Sequence, residues 1–262
     1  MQFLSDVHLE FIKSENINLS DFLDPVSDYL AIVGDLGYPH SPLFEQFLIE
    51  ASKVYKKVFY VSGNHEYYCC KNSENPTMVD IDTKIESICA KLPNVFYLNN
   101  KEYVLDNNTV ILGTTLWSHI PISKERIIKN CINDYKYIYV NEKHYKTNVT
   151  CKFISSLHDQ AVTFLKDKLE EHKDKKIIVL SHHLPSFEMV AEQYKDEPTN
   201  YAFATGLDEL MEENDNIIGW LCGHTHTTMT AQINNCLCMT NPMGYNGENE
   251  QYDKKSLLKF NF

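Results

Sequence analysis

The stretch Tyr-Leu-Ala-Ile-Val-Gly-Asp at residues 29–35 joins an unbroken apolar run to a glycine and a carboxylate. A short run of this kind, rich in branched side chains, predicts a strand that is buried on both faces of a sheet. Glycine allows a sharp turn after such a strand, which brings Asp35 to its carboxyl end. Because open α/β sheets form their sites at that end, the stretch predicts an α/β fold with a polar site beyond the strand.

Four further apolar runs are followed by the same kinds of polar residue. Each leads to aspartate, asparagine or histidine: residues 2–5 to Asp6 and His8, residues 58–61 to Asn64 and His65, residues 177–180 to His182, and residues 217–221 to His224 and His226. At a strand end, residues two apart point to the same side, so Asp6 and His8 can bind one ion. The sequence therefore predicts one site at the ends of several strands.

Helical and hairpin patterns complete the predicted architecture. Apolar residues recur with a helical period over residues 42–55, 76–92 and 155–172. Residues 103–113 and 230–240 each place two asparagines between strand-like runs, which predicts a β-hairpin in both places. These elements fit two sheets that pack face to face and are flanked by helices.

Residues 117–148 are the least regular part of the chain. Two interpretations are open: a polar connector with some surface helix, or a cap over the predicted site. The argument for a cap is that long irregular segments in compact domains tend to be functional. We predict a single domain over residues 1–262, with a cap or insert at about 117–148.

The bulk composition argues against several classes of protein. A net charge of −12 disfavours a protein that binds duplex nucleic acid through a broad basic face. The sequence contains no run of eighteen apolar residues, so no membrane span is expected. Asp6 comes too early for a cleavable leader to precede it, so no signal peptide is expected. The eight cysteines lack the spacing that is typical of a disulfide framework, which fits a reducing compartment. We therefore expect a cytoplasmic protein.

The polar clusters supply seven oxygen or nitrogen ligands and no thiolate: Asp6, His8, Asp35, Asn64, His182, His224 and His226. Such a set suits Mn, Fe, Co, Ni or Zn. It is large enough for two ions, with the two oxygens of Asp35 as a bridge, and two-metal sites mainly cleave phosphoesters. His65 projects elsewhere and is left as an acid for the leaving-group oxygen. His183 is expected either to support a ligand or to contact phosphate.

Taken in order, Asp-x-His, Gly-Asp, Gly-Asn-His-Glu, a later His and Gly-His-x-His resemble the calcineurin-like metallophosphoesterases over residues 6–226. The resemblance implies a four-layer α/β/β/α sandwich of two mixed sheets, with a dinuclear metal site at the carboxyl ends of strands. It implies one metal bound by Asp6, His8, Asp35 and His226, and another bound by Asp35, Asn64, His182 and His224. It also implies attack on phosphorus by a hydroxide that bridges Fe, Zn, Mn or Ni ions, with His65 as proton donor and Asp35 as the bridging catalytic ligand.

Two differences from the family's motifs indicate which branch of the family the chain resembles. Protein Ser/Thr phosphatases carry arginines after Gly-Asp and before Gly-Asn-His-Glu, whereas here Leu36 follows Asp35 and Ser62 precedes Gly63. The chain therefore resembles the small single-domain phosphoesterases. Members of the family usually have arginine where Met243 stands, so the resemblance does not carry the phosphate or nucleobase contact of that arginine over to this chain.

The expected substrate is a small phosphorylated molecule, including a nucleotide. One alternative is a nuclease on single-stranded nucleic acid, with Trp117, Tyr135 and Tyr137 as stacking residues. Another is a non-catalytic scaffold of the same fold, which the retained His65 disfavours.

Overall fold

Two β-sheets form the centre of the computed structural model, which describes residues 1–68, 75–142 and 145–260. The first sheet has four strands in the order of the chain: β1 (Gln2–Leu4), β2 (Tyr29–Val33), β3 (Lys57–Val61) and β4 (Val95–Tyr97). Its neighbouring strands are all paired in parallel. At the edge of this sheet, Gln2 forms an isolated antiparallel bridge with Leu257.

The second sheet is mixed. The later strands are β5 (Lys101–Val104), β6 (Thr109–Thr114), β7 (Tyr139–Glu142), β8 (Tyr145–Asn148), β9 (Lys176–Ser181), β10 (Ile217–Cys222), β11 (Met229–Ile233) and β12 (Cys236–Thr240). Six of them form a sheet in the order β11-β12-β10-β9-β6-β5, with both predicted hairpins antiparallel at its edges. β7 and β8 form a separate antiparallel pair.

The helices cover the outer faces of the two sheets. They are α1 (Pro42–Val54), α2 (Met78–Cys89), α3 (Glu125–Cys131), α4 (Asp134–Tyr137), α5 (Cys151–Glu171) and α6 (Asp208–Glu212). α2 begins later than predicted because Thr77 caps it, accepting from the Asp80 N–H while Asp80 accepts from the Thr77 N–H at 2.8 Å. None of the helices in the described ranges is both long and apolar enough to span a membrane.

Alternation along β2 explains the layering. Leu30 and Ile32 belong to the core under α1 and α2, whereas Ala31 and Val33 belong to the core between the two sheets. All four side chains are fully buried, and burial stabilises a residue such as Leu30 by roughly 1.5–3 kcal/mol. α5 and α6 cover the far face of the second sheet. The four-layer α/β/β/α arrangement is therefore confirmed.

Residues 117–148 fold into α3, α4, β7 and β8, although Lys143 and His144 lie outside the described residues. Ile128 and Ile138 of this segment are fully buried in the same core as α1 and α2. The segment is thus more regular than its sequence indicates, and its own apolar residues tie it to the first sheet's outer layer.

Candidate metal centre

Every predicted ligand lies in a loop that directly follows a strand. Asp6 and His8 follow β1, Asp35 follows β2, Asn64 follows β3, His182 follows β9, and His224 and His226 follow β10. Gly34 and Gly63 permit the close approach of these loops, because a Cβ at Gly34 would overlap the His182 imidazole and a Cβ at Gly63 would overlap the Asp35 carboxylate. The structure therefore brings together all seven predicted ligands.

The backbone at these loops is unusual. Five non-glycine ligands have positive φ: Asp6, His8 and Asp35 at 52°, His224 at 72° and His226 at 49°. Non-glycine residues in this region cost on the order of 1–3 kcal/mol each, and they persist only where the surrounding structure holds them. Such strain concentrates at functional sites, which agrees with the position of these residues.

We call Asp6, His8 and His226 the first group. Their ligand atoms all lie within 4.8 Å of one another. His8 Nδ1 lies 3.0 Å from a Glu10 oxygen, and His226 Nδ1 lies 2.6 Å from a Glu248 oxygen. Each Nδ1 donates to its carboxylate, so the Nε2 of each ring is the nitrogen left for a further partner, and the two Nε2 atoms lie 3.0 Å apart. Either a proton or a metal ion can satisfy two facing imidazole nitrogens, so the first group fits a metal ion.

We call Asp35, Asn64, His182 and His224 the second group. His182 Nδ1 donates to the Val33 carbonyl at 3.0 Å, so its Nε2 is the nitrogen that faces the other residues of the group. That Nε2 lies 3.1 Å from Asn64 Oδ1, 3.1 Å from His224 Nδ1 and 3.4 Å from an Asp35 oxygen. The second group therefore also brings oxygen and nitrogen atoms to one point.

Asp35 links the two groups. One of its oxygens, Oδ2, lies 3.4 Å from His182 Nε2 and 3.9 Å from His8 Nε2. Its other oxygen accepts from the His65 N–H at 2.8 Å. A carboxylate in this position can serve both groups through one oxygen, whereas the sequence predicts a bridge made by both oxygens.

The carboxylates of Asp6, Asp35 and Glu248 favour positive charge on the neighbouring histidines. Burial opposes protonation of His182, but Asp35 outweighs it and raises the pKa of His182 to about 10. Burial is likewise outweighed at His226, where Asp6 and Glu248 raise the pKa to about 9. Protons and metal ions compete for these nitrogen atoms, so the same electrostatics that hold a proton favour a bound cation.

Glu10 is a site residue that the sequence analysis missed. Its Oε1 lies 3.0 Å from His8 Nδ1 and 2.9 Å from His65 Nδ1, and its side chain is almost fully buried. One carboxylate thus orients both a candidate metal ligand and the candidate acid. The signal available in the sequence was its spacing, two residues after His8.

Glu66 joins the loops after β2 and β3. It accepts from the backbone N–H groups of Asp35, Leu36 and Gly63 at 3.1, 2.8 and 2.8 Å. The Tyr60 hydroxyl also donates to it at 2.7 Å. Burial, reinforced by the nearby charge of Asp35, raises the pKa of Glu66 to about 8. Its role is to position two ligand loops relative to each other.

Asn64 is oriented by the 117–148 segment. Its Nδ2 donates to Asp134 at 2.8 Å and to the Tyr68 hydroxyl at 3.1 Å, and Tyr68 donates to the same Asp134 oxygen at 2.7 Å. Because a carboxylate accepts hydrogen bonds, the amide nitrogen of Asn64 faces Asp134 and its oxygen faces His182.

An open cavity of about 510 Å³ lies over both groups. Its walls come from residues 131–133 of the irregular segment, from the β9–α6 connection at residues 190–203, and from Tyr245 and Glu248 near the carboxyl end. The sequence analysis assigned no role to residues 190–203. His65 also lines the cavity, with its Nε2 3.5 Å from the Tyr245 hydroxyl.

Several residues with predicted roles lie elsewhere. His183 is buried against His224, and its Nδ1 donates to the Thr115 carbonyl at 3.3 Å, so it packs behind the ligands and does not line the cavity. Trp117 and Tyr135 are buried and also do not line it. Two of the three aromatic rings considered for base stacking are therefore inaccessible.

Comparisons with known proteins agree with this geometry. The sequence profile of calcineurin-like phosphoesterases matches residues 3–228. The uncharacterized protein L509 of Acanthamoeba polyphaga mimivirus is 33% identical over 267 aligned positions, covering 97% of this chain and 94% of that protein. Among solved structures, the phosphopantetheinyl hydrolase of Mycobacterium tuberculosis has a TM-score of 0.70 at 16% identity, covering 94% of this chain and 89% of the other. At that identity the structural likeness concerns the fold.

Proposed function

Since the chain belongs to the calcineurin-like phosphoesterase family and is a metallophosphoesterase, we propose that it hydrolyses small phosphorylated molecules at a site that holds two metal ions. One ion is assigned to Asp6, His8, Asp35 and His226, and the other to Asp35, Asn64, His182 and His224. The observation that carries this assignment is the geometry of His8 and His226, whose Nδ1 atoms contact carboxylates while their Nε2 atoms face each other at 3.0 Å. Bound metal ions supply positive charge that polarises phosphoryl oxygens and lowers the pKa of water.

His65 is the proposed acid for the leaving group. Glu10 accepts from its Nδ1, so its Nε2 is the nitrogen that faces the cavity. A group held in this way can deliver a proton to an oxygen above the two metal-binding groups, and such transfers contribute roughly 10²–10⁴-fold to rates. The intact His65 also supports an enzyme over a scaffold.

A small substrate agrees with the size of the cavity. A volume of about 510 Å³ is within the range of small-molecule sites and would enclose a compound of nucleotide size. We also propose that residues 117–148 act as a cap on one domain, since residues 131–133 line the cavity and Asp134 accepts from Asn64. The acidic chain, with six described cysteines all free, supports a cytoplasmic protein that binds no duplex nucleic acid.

The test is a substrate panel with a matched variant. The protein is loaded with Mn²⁺, Ni²⁺, Zn²⁺ or Fe and assayed on aryl phosphate monoesters and diesters, nucleotides, cyclic nucleotides and a phosphopantetheinyl compound. His65→Ala should retain both metals while kcat falls roughly 10²–10⁴-fold on esters with poor leaving groups, and less on good ones. Full activity of that variant on poor leaving groups would contradict the role of His65. A loaded protein that turns over no phosphoester would overturn the proposed function.

A further inference from the structure

The cavity carries aromatic rings on two sides of the metal-binding groups. Phe203 stacks on His224 with centroids 4.7 Å apart and planes inclined by 29°. Tyr245 meets His226 edge-on at 4.7 Å on the other side. Tyr194 and Tyr245 also line the cavity and are 51% and 41% exposed, so they offer ring surface to a ligand. Flat or apolar groups gain free energy on such surfaces.

The charge on the same walls is negative. Glu197 and Glu248 line the cavity, whereas no lysine or arginine within residues 1–68, 75–142 and 145–260 does so. The Glu248 carboxylate accepts from His226 and from the Tyr245 N–H, so part of its charge is compensated. Glu197 is exposed and forms no ion pair in the described part of the chain, while the nearby Lys195 pairs with Glu192 at 2.6 Å.

The aromatic rings and the negative charge of the cavity walls divide the site into two parts, which favour different groups of a substrate. The ligand groups on the floor receive the phosphoryl group, whose charge the metal ions balance. The organic part of the substrate must then lie between aromatic rings and beside the Glu197 carboxylate, where no described lysine or arginine lines the cavity to neutralise a second anionic group. A second phosphate or carboxylate there would be repelled, whereas an ammonium group would be attracted.

We infer that the substrate has one phosphoryl group to be cleaved and an organic part that is aromatic or apolar and neutral or cationic. The inference rests on the proposed function, because it assumes that the phosphoryl group binds at the two metal-binding groups. Polyphosphates and sugar bisphosphates are excluded as good substrates. Glu197 is the residue that determines specificity for charge, and Tyr194 contributes the stacking surface.

Three aryl phosphates of matched shape test the charge preference: esters of 4-methylphenol, 4-carboxyphenol and 4-(aminomethyl)phenol, as monoesters or methyl diesters according to which the enzyme cleaves. The wild type is compared with Glu197→Gln, Glu197→Lys and the matched control Glu188→Lys, an exposed position outside the cavity. We expect Glu197→Lys to raise kcat/KM for the carboxylate, relative to the methyl compound, roughly 3–10-fold, and to lower it similarly for the amine. The Gln variant should fall between, and Glu188→Lys should change neither ratio. Leaving-group effects cancel because each ratio is compared between variants.

A second arm tests the aromatic wall. Tyr194→Ala should lower kcat/KM for the aryl substrates about 5–30-fold relative to glycerol phosphate. The control Tyr145→Ala removes an exposed tyrosine outside the cavity and should leave the ratio unchanged. Equal shifts in Glu197→Lys and Glu188→Lys, or a carboxylate-to-methyl ratio that Glu197→Lys leaves unchanged, would overturn the inference while hydrolysis itself stands. Failure to cleave any ester would instead overturn the proposed function.

Discussion

The two metal-binding groups differ in what supports their histidines. In the first group, His8 and His226 donate to carboxylates, Glu10 and Glu248. In the second group, His182 donates to the neutral carbonyl of Val33. A carboxylate behind a histidine increases its basicity as a ligand, whereas a carbonyl mainly orients the ring. The first group should therefore bind its ion more tightly, and the ion of the second group should remain the stronger Lewis acid.

The largest effect should come from the residue that the groups share. Asp35→Asn keeps the shape of the side chain and removes the charge that faces both His8 and His182. We expect loss of metal from both groups and a fall in kcat/KM of at least about a thousandfold, because water activation and charge stabilisation are both lost. Metal content and steady-state kinetics measure this. A variant that retains two ions and near-normal activity would remove Asp35 from its bridging position.

Glu10→Gln tests the carboxylate support of the first group. Glu10 contacts both His8 and His65, so we expect metal affinity and kcat to fall roughly 10–100-fold, with a larger loss of kcat on poor leaving groups. Glu248→Gln is the matched control, because Glu248 contacts His226 alone among the histidines and is 44% exposed. In Glu248→Gln, the fall in metal affinity and kcat should be smaller and independent of the leaving group. Equal losses in the two variants would contradict the double role of Glu10.

Asp134→Asn tests the second group. The replacement can donate as well as accept, so the Asn64 amide is no longer forced to present its oxygen to His182. We expect the affinity for one ion to fall about tenfold while the other ion stays bound, as measured by calorimetric titration of the metal-free protein. Tyr137→Phe is the control, since the Tyr137 ring packs on Tyr68 without contacting Asn64. A lower affinity for the ion of the first group, in place of the second, would contradict the assignment of Asn64.

The smallest effect concerns the pH dependence of the metal-free protein. The pKa values of His182 and His226, raised to about 10 and about 9, lie above the ordinary value of 6.5. Their protonation therefore stabilises the folded state fully below pH 6.5, and this contribution is lost as the pH rises through 9 and 10. We expect the Tm of the metal-free protein to fall between pH 8 and 10 more than that of the loaded protein. A parallel decline of both forms would show that these histidines do not carry the difference.

Local patterns explain why much of the fold was predictable. The apolar run at residues 29–33 and the helical period at 42–55 are local, and they became β2 and α1 with nearly the expected bounds. The structure of residues 117–148 was not predictable, because Ile128 and Ile138 are buried by distant parts of the chain. The contact of Asp134 with Asn64 was missed for the same reason, since the two residues are 70 positions apart.

The sequence alone determined the chemical types of the ligands, their places at strand ends and the family of the chain. These follow from residue identity and from periodicities that operate over a few residues. The tertiary structure decided which nitrogen of His8, His182 and His226 faces the other candidate ligands, which way Asn64 points and which charged residues line the cavity. Those properties depend on contacts such as His8 with His226, 218 residues apart, which exist only once the two sheets have packed.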